Sequence, residues 1–143
     1  MTNEMNVLDL MKQSGRTMVH DTLGIVVEEA TTERVVLSMP VTERVHQYSG
    51  LLHGGVSVVL AESAAAIGAA LNTDVSRFTP VGVEINANHI RAVAGGTVRA
   101  VATPVYTGRS MAVWSVEIID DRGRLVCVSR CTMMLKPGGM GGS

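Results

Sequence analysis

Between Arg44 and Asp74 the only formally charged residue is Glu62. It lies within residues 50–71, a run of small and apolar side chains with no proline, long enough for about five helical turns. An ionised carboxylate buried there without partners is expensive, so its presence calls for a use. Just upstream stand Gln47 and the run His53-Gly54-Gly55. A glutamine offers a neutral amide donor. The backbone N–H at Gly54, where the helix begins, is backed by the helix dipole and can meet an oxyanion, and glycine permits close approach. A carboxylate that attacks a carbonyl or activates water, together with such donors, is equipment for hydrolysis at a carbonyl.

Length restricts how these groups cooperate. Gly54 and Glu62 are eight residues apart, which places them about 12 Å from one another along one helix, whereas both must come within about 3 to 4 Å of one reacting carbonyl. One subunit can scarcely do both. Two such helices lying antiparallel across a twofold axis would bring the Gly54 end of one against Glu62 of the other, giving two equivalent sites per dimer.

The elements that must hold these residues are predicted from periodicity. Val7, Leu8, Leu10 and Met11 suggest a short amphipathic helix over residues 6–16. Residues 23–30 and 33–40 are β-rich and separated by Thr31-Thr32, which reads as an antiparallel hairpin. A polar connection over 41–49 carries His46, Gln47 and Tyr48 into the long helix, and a polar loop over 72–79 leads out of it to Pro80. Val81, Val83, Ile85 and Ala87 then alternate with Gly82, Glu84, Asn86 and Asn88 in a strand running to about Arg91. Strands over 97–106, 111–120 and 124–135 follow, separated by the corners Thr107-Gly108-Arg109-Ser110 and Asp121-Arg122-Gly123. About six alternating strands with one long helix after the second predict an α+β protein with an antiparallel sheet. The helix is slim enough for a curved sheet to wrap it, which is the hotdog arrangement. Residues 1–22 form an N-terminal helical segment packed on the domain, 23–135 the domain itself, and the glycine-rich 136–143 a flexible tail.

The chain has 143 residues, 46% of them hydrophobic, which fits one domain with an ample core. Twelve basic residues against thirteen acidic, with no basic run, give no footprint for nucleic acid or an anionic membrane. The long helix is interrupted by Ser57, Glu62 and Ser63 and rich in alanine and glycine, against a transmembrane span, and the N-terminus lacks a secretory pattern. A cytoplasmic location is therefore expected. Cys127 and Cys131, four apart in a strand, have Cα atoms about 13 Å apart and read as free structural thiols, and no metal-ligand spacing occurs.

Gln47, His53-Gly54-Gly55 and Glu62, followed by Gly-Val-Glu-Ile-Asn-Ala-Asn-His-Ile-Arg at 82–91 and Tyr-Thr-Gly-Arg-Ser at 106–110, resemble the hotdog-fold acyl-CoA thioesterases. The likeness is to the branch containing 4-hydroxybenzoyl-CoA thioesterase and the 1,4-dihydroxy-2-naphthoyl-CoA hydrolases of menaquinone synthesis. It covers nearly the whole chain and is weakest before Leu23 and after Leu135. The resemblance implies hydrolysis of an aromatic or medium acyl-CoA to free acid and CoA, with Glu62 as nucleophile or general base and Gln47 helping to orient the carbonyl or water. It also implies shared sites in a dimer, commonly within a tetramer. CoA is then part of the substrate, and no cofactor or metal is expected. Its phosphates call for cations, and Arg91 and Arg109 are candidates, with Asn88, His89 and the Thr107-Gly108 backbone as neighbours. By resemblance Val81, residues 88–91 including Ile90, the corner from Val105 through Tyr106 to Ser110, and Leu135 line the CoA and acyl paths.

Each residue has a plainer alternative. Glu62 can be a core carboxylate accepting hydrogen bonds, His53 can cap the helix instead of acting as a base, Gln47 can be an ordinary polar loop residue, and Arg91 and Arg109 can be solvated strand-end charges. One departure from the branch stands out: four residues after Glu62, where a serine or threonine is common, this chain has Ala66. Two other functions fit the same residues. His53 with Glu62 could serve an acyl-thioester hydratase or dehydratase, and a module that binds acyl-CoA without turnover is a third reading.

Overall fold

The computed structural model describes residues 7–140. Two short helices, α1 (Val7–Gln13) and α2 (Val19–Leu23), precede a hairpin of β1 (Val26–Ala30) and β2 (Val35–Pro40). A single 3-10 turn, Glu43–Val45, leads to α3 (Gly54–Leu71), after which β3 (Phe78–His89), β4 (Thr97–Thr107), β5 (Met111–Ile119) and β6 (Leu125–Pro137) complete the chain. The six strands form one sheet in the order β1-β2-β4-β5-β6-β3, every neighbouring pair antiparallel. Five strands, β2 to β6, contact α3. The helix is long and apolar enough by composition to cross a membrane, yet here it is the rod on which the sheet is built.

Alternation does the work that the sequence suggests. Val98, Ala100 and Ala102 of β4, Ala112, Trp114, Val116 and Ile118 of β5, and Cys127, Cys131 and Met133 of β6 are buried against Leu60, Ala61, Ala64, Ala65 and Ile67 of α3. Small helix residues let the sheet approach closely. The tightest of the α3 glycines is Gly68, where a Cβ would stand 2.5 Å from Trp114 Cη2. The Trp114 ring is fully buried and its Nε1 has no hydrogen-bond partner among the described residues, so bulk and not polarity selects tryptophan there. Gly68→Ala is therefore expected to destabilise by up to about 2 kcal/mol, because overpacking against a fully buried ring, toward the upper end of roughly 1–3 kcal/mol, exceeds the gain of about 1 kcal/mol in helix propensity. A thermal melt with an unchanged or higher Tm would show that the ring has room to move.

The fold departs from the sequence reading at its ends. The expected helix over 6–16 is observed as Val7–Gln13, Asn6 lying outside the described residues. Residues 19–23 form a second helix, inside the N-terminal segment expected to be helical but beyond the helix placed over 6–16, and it takes in Leu23, which was expected to open a strand. Asp21 accepts from the Met18 N–H at 2.8 Å and Gly24 closes the helix at φ 71°, so α2 rests on its two ends and not on periodicity. Strand β3 begins at Phe78, through Pro80, because it is an edge strand where a missing N–H is tolerated. Residues 136–140, expected to belong to a flexible tail, are instead held. Lys136 and Pro137 pair with Thr79 and Phe78, the Gly138 N–H donates to Arg77 O at 2.9 Å, and the Met140 N–H donates to Val75 O at 2.8 Å. The tail is thus stitched to the loop that leaves α3.

Candidate active site

Helix α3 starts abruptly at His53, whose backbone is extended at φ −65° and ψ 127° and whose Nδ1 accepts from the Gly55 N–H at 2.9 Å. The His53 carbonyl accepts from the N–H groups of Val56 and Ser57, and the His53 N–H donates to Val45 O. One N–H of the first turn is left over: Gly54 donates to nothing among the described residues. That orphan sits at the positive end of an 18-residue helix, where a developing negative charge is best received. The His89 imidazole lies beside it, its Nε2 2.8 Å from where a Gly54 Cβ would be. The histidine at 53 is therefore a cap, and its Nδ1 is committed to that bond.

Gln47 is half-buried in the turn that precedes the helix. Its N–H donates to Leu51 O at 2.8 Å and its carbonyl accepts from the Gly50 N–H at 3.0 Å, the chain reversing at Gly50 with φ 80°. The turn is anchored to the body through the Leu52 N–H, which donates to Val93 O, and through His46 Nε2, 2.8 Å from Ala94 O.

Glu62 is half-buried midway along α3, and its Oε1 rests against the Cα of Gly82 on β3. Gly82 faces inward opposite Met133, at a register shift between Gly82 and Glu84. Bulges of this kind re-aim neighbouring groups, and here the bulge and the missing Cβ leave space for a carboxylate. Cys131, the next inward residue of β6, is close enough for the Glu62 charge to act on it. Burial first, then Glu62 and Glu84, push its thiol up to about 12, so it stays protonated at neutral pH and is no rival nucleophile. The sequence reading singled out neither Gly82 nor Cys131 as part of the site. Gly82 stood in the sequence only as the first residue of the 82–91 run that carries the resemblance and as a glycine inside an alternating strand. Gly82→Ala is expected to leave Tm within a few degrees, since the clashing atom is the end of a flexible side chain, and to lower kcat at least about tenfold by displacing the carboxylate. Unchanged kcat would mean that this seating of Glu62 is immaterial.

The remaining residues fall into two groups within one chain. Asn88, His89, Ile90 and Arg91 stand at the end of β3 near the start of α3, with the Ile90 and Arg91 N–H groups donating to Val126 O. Val81, Ser110 and Leu135 lie at the opposite end, where Pro80 pairs with Leu135 and the Leu135 N–H donates to Ser110 O at 2.9 Å. Tyr106 folds its ring over Gly108 beside Thr107 and Arg109. From Val81 to Arg91 is about 33 Å of extended chain, so a single chain does not gather the expected set. A cavity of about 290 Å³ between residues 92–95 and the Asp120–Arg124 turn touches none of Gln47, Gly54 or Glu62.

Residues 49–127 match the family model described as Thioesterase superfamily. The chain belongs to that family. It is 44% identical over 118 residues to the 1,4-dihydroxy-2-naphthoyl-CoA hydrolase of Listeria monocytogenes, covering 82% of this chain and 95% of that one. Among solved structures, a glutamine-to-alanine mutant of thioesterase PA1618 from Pseudomonas aeruginosa superposes with a TM-score of 0.86 at 40% identity, covering 94% of this chain and 97% of that one. Thioesterase SAV0944 from Staphylococcus aureus is 39% identical with a TM-score of 0.83 over 85% of this chain and all of that one. It has been solved with alanine in place of a glutamine and, separately, of a glutamate fifteen positions further on. The protein is thus a hotdog-fold enzyme that hydrolyses thioesters, as the sequence resemblance implied.

Proposed function

We propose that this thioesterase cleaves an acyl-CoA with an aromatic or medium-length acyl group, releasing the free acid and CoA at two sites shared across a dimer. Glu62 acts as nucleophile or general base on the thioester carbonyl, while the Gly54 N–H and the Gln47 amide hold the oxygen on which charge develops. The observation that carries this reading is the unpartnered Gly54 N–H, about 12 Å along its own helix from Glu62 and so in need of another subunit's carboxylate.

Three features support the shared site. Val59, Glu62, Ser63 and Ala66 are half-exposed on one face of α3, a stripe that a second α3 would cover. Strand β3 ends the sheet, with no strand on its outer side among the described residues, and antiparallel pairing with another β3 would bring the Val81 end of one chain to the Arg91 end of the other, closing the 33 Å gap as about one strand length. Third, Gln47 and Glu62 are separated by fifteen positions, the spacing of the two residues replaced in the Staphylococcus aureus thioesterase. His89 and Arg91 at one subunit's strand end, and the Tyr106–Ser110 corner with Arg109, would then flank the CoA path. The same reading takes the tetramer as the assembled form, the cytoplasm as its place and no metal or cofactor as a requirement.

Free-thiol release measured over a panel of aromatic and aliphatic acyl-CoAs tests it. The expected result is turnover of at least one aromatic or medium acyl-CoA, unaffected by a chelator. Loss of double-bond absorbance from crotonyl-CoA without thiol release would favour hydration instead, and tight binding of several acyl-CoAs without turnover would favour a binding module.

A further inference from the structure

We infer that Ser49 is a positioning residue that fixes Gln47 as a donor. The Ser49 backbone N–H and its hydroxyl both donate to Gln47 Oε1, the hydroxyl at 2.8 Å. A backbone N–H can only donate, so the amide oxygen must be the atom facing Ser49, and a flipped amide would set donor against donor. The Gln47 backbone is also held, N–H to Leu51 and carbonyl to Gly50. With both backbone groups and Oε1 engaged, Nε2 is the one polar group of Gln47 without a partner among the described residues. Its two hydrogens point away from Ser49. Donation into the carbonyl also polarises the amide and strengthens Nε2 as a donor.

This rests on the reading of Gln47 as a group that holds the substrate oxygen, and it adds a consequence. A free glutamine samples both amide orientations and can present either an acceptor or a donor. One clamped by Ser49 presents a donor alone, ready before substrate arrives, which suits an oxygen that gains negative charge. Ser49 itself is exposed and, among the described residues, its hydroxyl bonds only Gln47, so Ser49→Ala keeps the backbone donor, removes the second of the two donors on Oε1, and should loosen the amide at little cost in stability.

The test is steady-state kinetics on the full chain with the best acyl-CoA of the panel. Ser49→Ala is expected to lower kcat about three- to tenfold with KM within about twofold. Ser49→Thr, which keeps the hydroxyl, should recover most of the loss. On a Gln47→Ala background Ser49→Ala should change kcat less than about twofold, because the group it positions is gone. Full activity of Ser49→Ala, or the same loss with and without Gln47, would overturn the positioning role of the Ser49 side chain while leaving Gln47 in the site. Unchanged activity of Gln47→Ala would overturn both.

Discussion

Glu62→Gln is expected to lower kcat by about a thousandfold or more while KM moves little and the fold persists. The substitution keeps shape and removes charge. An amide can still rest against the bare Gly82 Cα, and the surrounding α3 and β6 packing does not change, so loss of activity would report the chemistry of the carboxylate. Neutral Gln neither attacks a thioester carbonyl nor removes a proton from water. Glu62→Ala should lose as much, with no partial rescue from Cys131, whose thiol is held protonated by burial and by its acidic neighbours. A fall of less than about tenfold for either variant would take Glu62 out of the chemistry and return it to the status of a core carboxylate.

Mixing two inactive variants should restore activity. Gly54→Pro removes the orphan N–H yet suits the first position of a helix, where proline's fixed φ is already required. The preceding His53, at φ −65° and ψ 127°, already has the extended backbone that a following proline demands. The three atoms nearest the added Cβ all belong to the movable His89 ring. Neither Gly54→Pro nor Glu62→Ala dimers have a complete site. A heterodimer of the two has one site with both an intact Gly54 and an intact Glu62, so subunit exchange from an equal mixture should restore about a quarter of wild-type activity. A mixture no more active than its parents, after exchange is confirmed, would place each complete site within one chain.

The sequence made the centre of the candidate site legible because its signals are local. A solitary acid in an alanine-rich helix, a glycine at the helix start and strict alternation in four strands each need only neighbouring residues to be read. What it concealed is held by long-range contact. The tail over 136–140 is ordered by hydrogen bonds to Val75 and Arg77, some sixty residues earlier, and no local pattern in a glycine-rich segment announces such a partner. Gly82 matters because Glu62, on another element, leans on it. Helix α2 is five residues long, too short for periodicity to register, and follows from a capping aspartate and a left-handed glycine. Ser49 hides for another reason: its neighbour in sequence is its partner, but a serine two residues after a glutamine is too common a pattern to mean anything until the bond is seen.

The exposed flank of β3 has a consequence for handling the enzyme. Twelve residues of backbone end the sheet there, with an exposed valine, Val83, at the bulge. In the dimer proposed above, a subunit released by dilution would present this row of amides and carbonyls to any extended polypeptide it met. Separation of those subunits would then feed precipitation as well as loss of turnover, and the concentration at which the protein is kept would set its lifetime.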